Sequence, residues 1–178
     1  MKILICSDTH GDQDILIDKL SRYPNFDHYF YLGDSELSET NLLFKNFVGV
    51  NGNMDYGKFP LIRVISDQNI NFLLTHGHLF GVNQNLNRLI SEGKRLKANI
   101  ICYGHTHRLS IKVIEGILVI NPGSISQPRN FVNEGGTYVV LTIDEKTYTV
   151  AAYNRKDQLI SLPKNPIIIM RNQINEKF

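Results

Sequence analysis

The sequence predicts an α/β protein in which two packed β-sheets carry helices on their outer faces. Two observations predict it. Short apolar runs recur along the chain, each stopping at a polar, often glycine-containing turn, and several are separated by helical patterning. The second half then changes character, reading as strands joined by tight hairpins.

The runs can be taken in order. Residues 3–6 run into Ser7-Asp8-Thr9-His10, 29–32 into Gly33-Asp34, and 47–50 into Asn51-Gly52-Asn53-Met54-Asp55. Residues 70–74 run into Thr75-His76-Gly77-His78, 100–103 into Gly104-His105-Thr106-His107, and 118–120 into Asn121-Pro122-Gly123-Ser124. A helix over 12–22 would carry Leu16 and Leu20 on one face, and another over 85–97 would carry Leu86, Leu89 and Ile90. Strands alternating with helices imply largely parallel early strands. Residues 111–114, 117–120, 138–143 and 147–153 look antiparallel, with Glu115-Gly116 and Asp144-Glu145-Lys146 as hairpin turns. The apolar run 167–170 reads as a further strand or an oligomer contact.

Composition sets the outer limits. A chain of 178 residues suits one domain, taken here as 1–178, and can bury roughly 70% of its unfolded surface. Its 42% hydrophobic and 20% charged residues are those of an ordinary globular protein. A net charge of +2 gives no footprint for stable nucleic-acid or anionic-membrane binding. The first apolar run is too short for a signal peptide, and none approaches the length of a membrane span. Cys6 and Cys102 each sit in an apolar run and are expected as buried thiols rather than a disulfide. A cytoplasmic protein is the expectation.

The chemistry gathers in the loops. Five loops after predicted strands hold Asp8, His10, Asp34, Asn53, Asp55, His76, His78, His105 and His107, including five of the six histidines. In open α/β sheets ligands bind beyond the carboxyl ends of the strands. Carboxylates, imidazoles and an amide oxygen suit divalent ions such as Mn, Fe, Co or Zn. Asp8-x-His10 would put two ligands on one side of an extended segment, and His76-x-His78 and His105-x-His107 repeat that spacing. A carboxylate after Gly33 can lean between two ions, the glycine letting backbone approach closely. Two metals about 3.5–4 Å apart can share a bridging hydroxide and clamp the attacking and leaving oxygens of a phosphoryl centre, with no nucleophilic side chain needed. No Gly-x-Ser-x-Gly elbow, Walker loop, His-Glu-x-x-His helix or His-x-His-x-Asp-His stretch is present.

Those five motifs, in that order, resemble the calcineurin-like metallophosphoesterases. The chain length and the Asn121-Pro122-Gly123-Ser124 segment are similar to the small prokaryotic YfcE-type phosphodiesterases among them. The resemblance covers about residues 1–129. It implies a metallophosphoesterase-like double β-sheet sandwich flanked by helices, with the last strands in the second sheet. It implies one metal held by Asp8, His10 and His107, a second by Asn53, His76 and His105, and Asp34 bridging the two. The implied activity is hydrolysis of small phosphate esters, phosphodiesters before monoesters, by a metal-bridging hydroxide. Manganese is the first expectation for the two ions, with Ni, Co, Fe or Zn as alternatives. A homo-oligomer is implied by the family alone.

One departure stands out. Many relatives carry a histidine after the Asn of the Gly-Asn segment, near the leaving group; here that position is Met54, which has no proton to give. His78 is the candidate substitute. Asp55 is expected to orient Asn53 or another ligand from behind. The 121–124 turn is either a simple tight turn or the floor of the site, with Arg129 reaching a phosphate oxygen. His28 reads as a partly exposed residue at a strand start. The alternative function is a non-catalytic protein-binding scaffold on the same fold, against which the complete ligand set argues. A nuclease is a third possibility, and the chain shows no basic groove for it.

Overall fold

The structure, a computed structural model, describes residues 1–174; the last four residues of the expected 1–178 domain lie outside the described residues. The expected mixed α/β architecture is present: two sheets face each other, with α1 (Gln13–Arg22) and α2 (Asn87–Arg95) on their outer faces. Both helices fall within the expected spans. α2 is shorter than 85–97, because Leu86 only caps it and Lys97 turns left-handed at φ 54°.

The first sheet begins with β1 (Lys2–Cys6), β2 (His28–Tyr31) and β3 (Phe47–Gly49), which pair in parallel. β9 (Thr137–Ile143), β10 (Thr147–Asn154) and β11 (Ile167–Met170) extend it antiparallel on the other side of β1. The second sheet runs β4 (Ile62–Asp67), β5 (Ile70–Thr75), β6 (Ile100–Tyr103), β8 (Ile117–Pro122) and β7 (Leu109–Ile114). β5, β6 and β8 are parallel, while β4 and β7 are antiparallel edges.

Two expectations need correction. The last strands complete the first sheet, because Val139 to Thr142 pair with Lys2 to Ile5. They do not build the second sheet. The sequence pattern carries no mark of β4. Its residues are half-buried or exposed, so no continuous apolar run marks it, and its turn to β5 uses Gln68 and Asn69, both at positive φ, with no glycine.

Period-two alternation explains the packing. In β1, Ile3 and Ile5 point between the sheets, while Leu4 and Cys6 point toward α1. In β5 and β6, Phe72, Leu74, Ile100 and Cys102 point inward, while Leu73, Ile101 and Tyr103 meet α2. Central strands are thus covered on both faces, which is why they read as unbroken apolar runs. Fully burying each such side chain contributes about 1.5–3 kcal/mol. Cys6 and Cys102 are buried free thiols, and burial raises the Cys6 pKa to about 12. No helix among the described residues is long and apolar enough to cross a membrane.

Candidate metal centre

The parallel ladder between β1 and β2 does not stop at the strand ends. Leu32 N donates to Cys6 O, Asp8 N to Gly33 O and His10 N to Asp34 O, at 3.0, 3.0 and 3.1 Å. The register of the sheet therefore sets the Asp8, His10 and Asp34 loops side by side. The loops after β5 and β6 are tied in the same way, with Gly104 N on His76 O at 3.0 Å.

The backbone of these loops is left-handed rather than extended. Asp8, His10, Asp34, His105 and His107 have φ of 57°, 48°, 56°, 66° and 55°. This corrects the expectation that x-spaced ligands sit on one side of an extended segment. The spacing still gathers Asp8 with His10. It separates His105 from His107: His107 stacks on His10 with ring centroids 5.1 Å apart, and His105 meets His76 at 5.1 Å.

Two groups of ligand atoms result, each with its atoms within 4.8 Å of one another: Asp8, His10 and His107, and Asp8, Asp34 and His76. The carboxylate common to both is Asp8. Within them, His107 Nε2 is 3.2 Å from Asp8 Oδ1, and His76 Nε2 is 3.2 Å from Asp34 Oδ2 and 3.9 Å from Asp8 Oδ1. His10 and His107 face each other through Nε2 atoms 3.3 Å apart. His105 and His78 stand beside His76, at 5.1 and 5.5 Å between ring centroids. Asn53 is exposed in the loop whose neighbouring Met54 N holds Asp34 Oδ1 at 2.8 Å.

Every histidine of the two groups is oriented from behind. His76 Nδ1 meets Leu32 O at 2.6 Å, and His107 Nδ1 meets Gln127 O at 2.8 Å. A carbonyl only accepts, so both Nδ1 atoms carry a proton, and in the neutral rings the Nε2 atoms present the lone pair. His10 Nδ1 meets Glu36 Oε1 at 2.7 Å, which has the same effect. Bare nitrogen lone pairs thus converge on one another and on two carboxylates. Asp8 is fully buried, and neither of its carboxylate oxygens nor His76 Nε2 finds a hydrogen-bond partner among the described residues. Unpaired buried acceptors are costly unless a cation joins them. The donor set fits divalent metal ions on these grounds.

The pKa directions agree with an arrangement that seeks positive charge. Burial pushes the Asp34 carboxyl up, but His76 and the Met54 amide outweigh it and hold the group below the usual value. Burial likewise opposes a proton on His76, yet Asp34 and Asp8 raise its pKa. Asp8 raises the pKa of His107. Burial, then His76, lower those of His78 and His105.

Close approach requires glycine in these loops, Gly52 and Gly104 most directly. A Cβ on Gly52 would lie 2.0 Å from Asp34 Oδ1, and one on Gly104 would lie 2.1 Å from Ser7 Oγ. The cross-ties are also specific. Asp55 accepts from Asp34 N, Gly52 N, Ser35 N, Ser35 Oγ and Glu36 N at 2.7–2.9 Å, so it orients the Asp34 loop rather than the Asn53 side chain. The 121–124 turn does lie under the site: Asn121 Nδ2 donates to Gly104 O and Thr106 Oγ1, and Ser124 Oγ donates to Asp8 O. Arg129 is exposed beside it, its amide on His107 O at 2.8 Å. Glu36 was not singled out by the sequence, since an isolated acid two residues after Asp34 carries no signal of its own. His28, as expected, is partly exposed at the start of β2, 2.7 Å from Asp67.

Comparison with known proteins adds the following. The family model for the calcineurin-like phosphoesterase superfamily domain matches residues 1–146. A probable metallophosphoesterase of Bacillus subtilis, YsnB, is 33% identical over 171 residues, covering 95% of this chain and 100% of that protein. A crystal structure of a conserved Streptococcus pneumoniae protein, described as a predicted phosphoesterase, superposes with a TM-score of 0.88 at 35% identity, over 96% of this chain and 97% of the other. The zinc complex of Vps29 from Entamoeba histolytica shares the fold at a TM-score of 0.73 and 21% identity, over 97% and 100% of the two chains.

Proposed function

This chain belongs to the calcineurin-like phosphoesterase superfamily, and from that membership we propose that it hydrolyses phosphodiesters with two bound divalent ions, manganese first among them. The observation that carries the reading is the convergence of bare Nε2 atoms on the unpaired carboxylate of Asp8. Asp8, His10 and His107 would hold one ion, Asn53, His76 and His105 would hold the other, and Asp34 would serve both. When bound, the ions lower the pKa of a water and neutralise charge developing on the phosphoryl oxygens.

The remaining roles fall to the chain itself. Asp55 and Met54 N fix the Asp34 carboxylate. Arg129, exposed and in no ion pair among the described residues, meets a phosphate oxygen. Met54 is 44% exposed at the mouth and offers no proton to a leaving group. His78, whose pKa is lowered first by burial and then by His76, is neutral at pH 7 and steadies the leaving oxygen as a hydrogen-bond donor. Substrates whose leaving groups depart without protonation are therefore favoured, and activated diesters should be turned over best.

The test is hydrolysis of bis(p-nitrophenyl) phosphate by chelator-stripped protein before and after Mn, with p-nitrophenyl phosphate alongside. Return of activity with Mn and preference for the diester is the expected result. Bound metal with no turnover under Mn, Co, Ni or Zn would favour the non-catalytic scaffold instead.

A further inference from the structure

The outer face of the second sheet carries a pocket of mixed polar and apolar lining that the metal centre leaves unused. A cavity of about 280 Å³ opens between β7 and the loop leading into α2. Ser110 and Lys112, alternate residues on one face of β7, line one wall together with Arg108 just before the strand. Residues 82–86, among them Asn83, Gln84 and Asn85 with Val82 and Leu86, line the other.

The charge on this face is unbalanced. No carboxylate lines the cavity. The acids of the neighbouring elements are engaged elsewhere, Glu92 with Arg95 and Glu115 with Lys94. Neither Arg108 nor Lys112 forms an ion pair among the described residues. Four residues of chain reach at most about 13–14 Å, which bounds the separation of their Cα atoms. Two long side chains at that spacing can both reach a group bound beside Ser110. A guanidinium fork, an ammonium, a hydroxyl and amide N–H donors together match the acceptor-rich oxygens of a phosphate.

The pocket also adjoins the centre. Thr106 lies on its wall and sits between His105 and His107, its Cα about 3.8 Å from each of theirs. The opposite wall continues the segment that carries His78. Both walls of the cavity are thus continuous in the chain with the segments that carry His78, His105 and His107.

We propose that this pocket is a phosphoryl-binding subsite, so that the substrate class is phosphodiesters bearing a second phosphate. The substrate half of the proposal rests on the function proposed above; the binding half does not. Inorganic phosphate is titrated into chelator-treated, ¹⁵N-labelled full-length protein, where no bound ion draws it to the histidines. Amides of 82–86 and 106–112 should shift saturably, and Arg108→Gln with Lys112→Gln should weaken binding at least about tenfold. Shifts confined to the Asp8, His76 and His105 loops, or binding unchanged in the double variant, overturn the subsite.

Mn-loaded enzyme is then given dithymidine monophosphate with and without a 5′-phosphate. The wild type should favour the 5′-phosphorylated form, and the double variant should lose that preference while hydrolysing bis(p-nitrophenyl) phosphate at an unchanged rate. Phosphate binding at the pocket without any such preference supports a site for free phosphate and overturns the second-phosphate substrate class. Failure of the wild type on the aryl diester counts against the hydrolase reading, and the titration still decides the subsite.

Discussion

Asp55→Asn is the most informative single change at this site, because its cost can be worked from five hydrogen bonds. Asp55 Oδ1 accepts from Ser35 N, Ser35 Oγ and Glu36 N, and Oδ2 accepts from Asp34 N and Gly52 N. An Asn of the same shape can keep only one oxygen. It does best to leave that oxygen toward the three donors, which turns its NH₂ toward the amides of Asp34 and Gly52. Both are buried, and a stranded buried donor costs about 1–3 kcal/mol, so two cost about 2–6. Asp55 itself is only half-buried, so water relieves part of this and the lower half, about 2–4 kcal/mol, is expected. For a chain of 178 residues each kcal/mol lowers Tm by about 2–4 °C, so calorimetry should show a fall of about 4–16 °C. Asp34 would also lose its anchor, so Mn affinity measured by titration calorimetry should fall with Tm. A Tm within about 1 °C of wild type and an unchanged Mn affinity would refute the positioning role.

Three further outcomes follow from the same geometry. Asp34→Asn keeps the shape and the Met54 amide contact but removes the charge beside His76, and kcat/KM on an activated diester should drop at least about a hundredfold; full metal content with a normal rate would sink the bridging role. Glu36→Gln removes the charge behind His10 Nδ1, so Mn should bind about tenfold more weakly by titration calorimetry, with little change in Tm since Glu36 is exposed. Asp34 and Asp8 overcome burial to raise the pKa of His76, and Asp8 raises that of His107. A raised folded pKa means that protons stay bound above the ordinary imidazole value of about 6.5 and must leave before a metal binds. Mn affinity should therefore climb as pH rises through the window just above that value, with proton release measurable by calorimetry in two buffers. Affinity flat across that window would contradict the shifts.

How much was legible in the sequence follows from where each signal resides. β1, β2, β5 and β6 are buried on both faces, so burial writes them as unbroken apolar runs, and the loops after them were found with them. β4 is an edge strand with partly exposed faces, and its turn lacks glycine, so nothing local announced it. The pairing of β9 with β1 is a contact between residues more than 130 apart, which patterning cannot fix. At the site, residue type and spacing pointed to Asp8, His10, Asp34, His76, His105 and His107. The arrangement behind them was not visible. Glu36 on His10, Gln127 O on His107 and Leu32 O on His76 are tertiary contacts, two of them made by main-chain carbonyls that leave no trace in residue identity.

The left-handed backbone of the ligand loops has a physical reason in the geometry. A parallel strand that continued extended past Cys6 or Tyr31 would carry its side chains alternately up and down, away from a common point. Left-handed turns at Asp8, His10, Asp34, His105 and His107 bend the loops so that side chains from separate strands meet instead. Such conformations cost about 1 kcal/mol or more each in a residue with a Cβ. They persist only where surrounding bonds over-determine them, and here those bonds are identifiable. Ser124 Oγ holds Asp8 O, the Tyr31 hydroxyl holds Asp34 O and Thr9 N, and Asn121 holds the carbonyl of Gly104. Each tie comes from a strand or from the turn that directly follows one, so the sheets rather than the loops themselves set the positions of these side chains. Three imidazoles and two carboxylates are gathered on this frame in two groups that share Asp8, and a bound cation would stabilise the Asp8 carboxylate that burial leaves without donors.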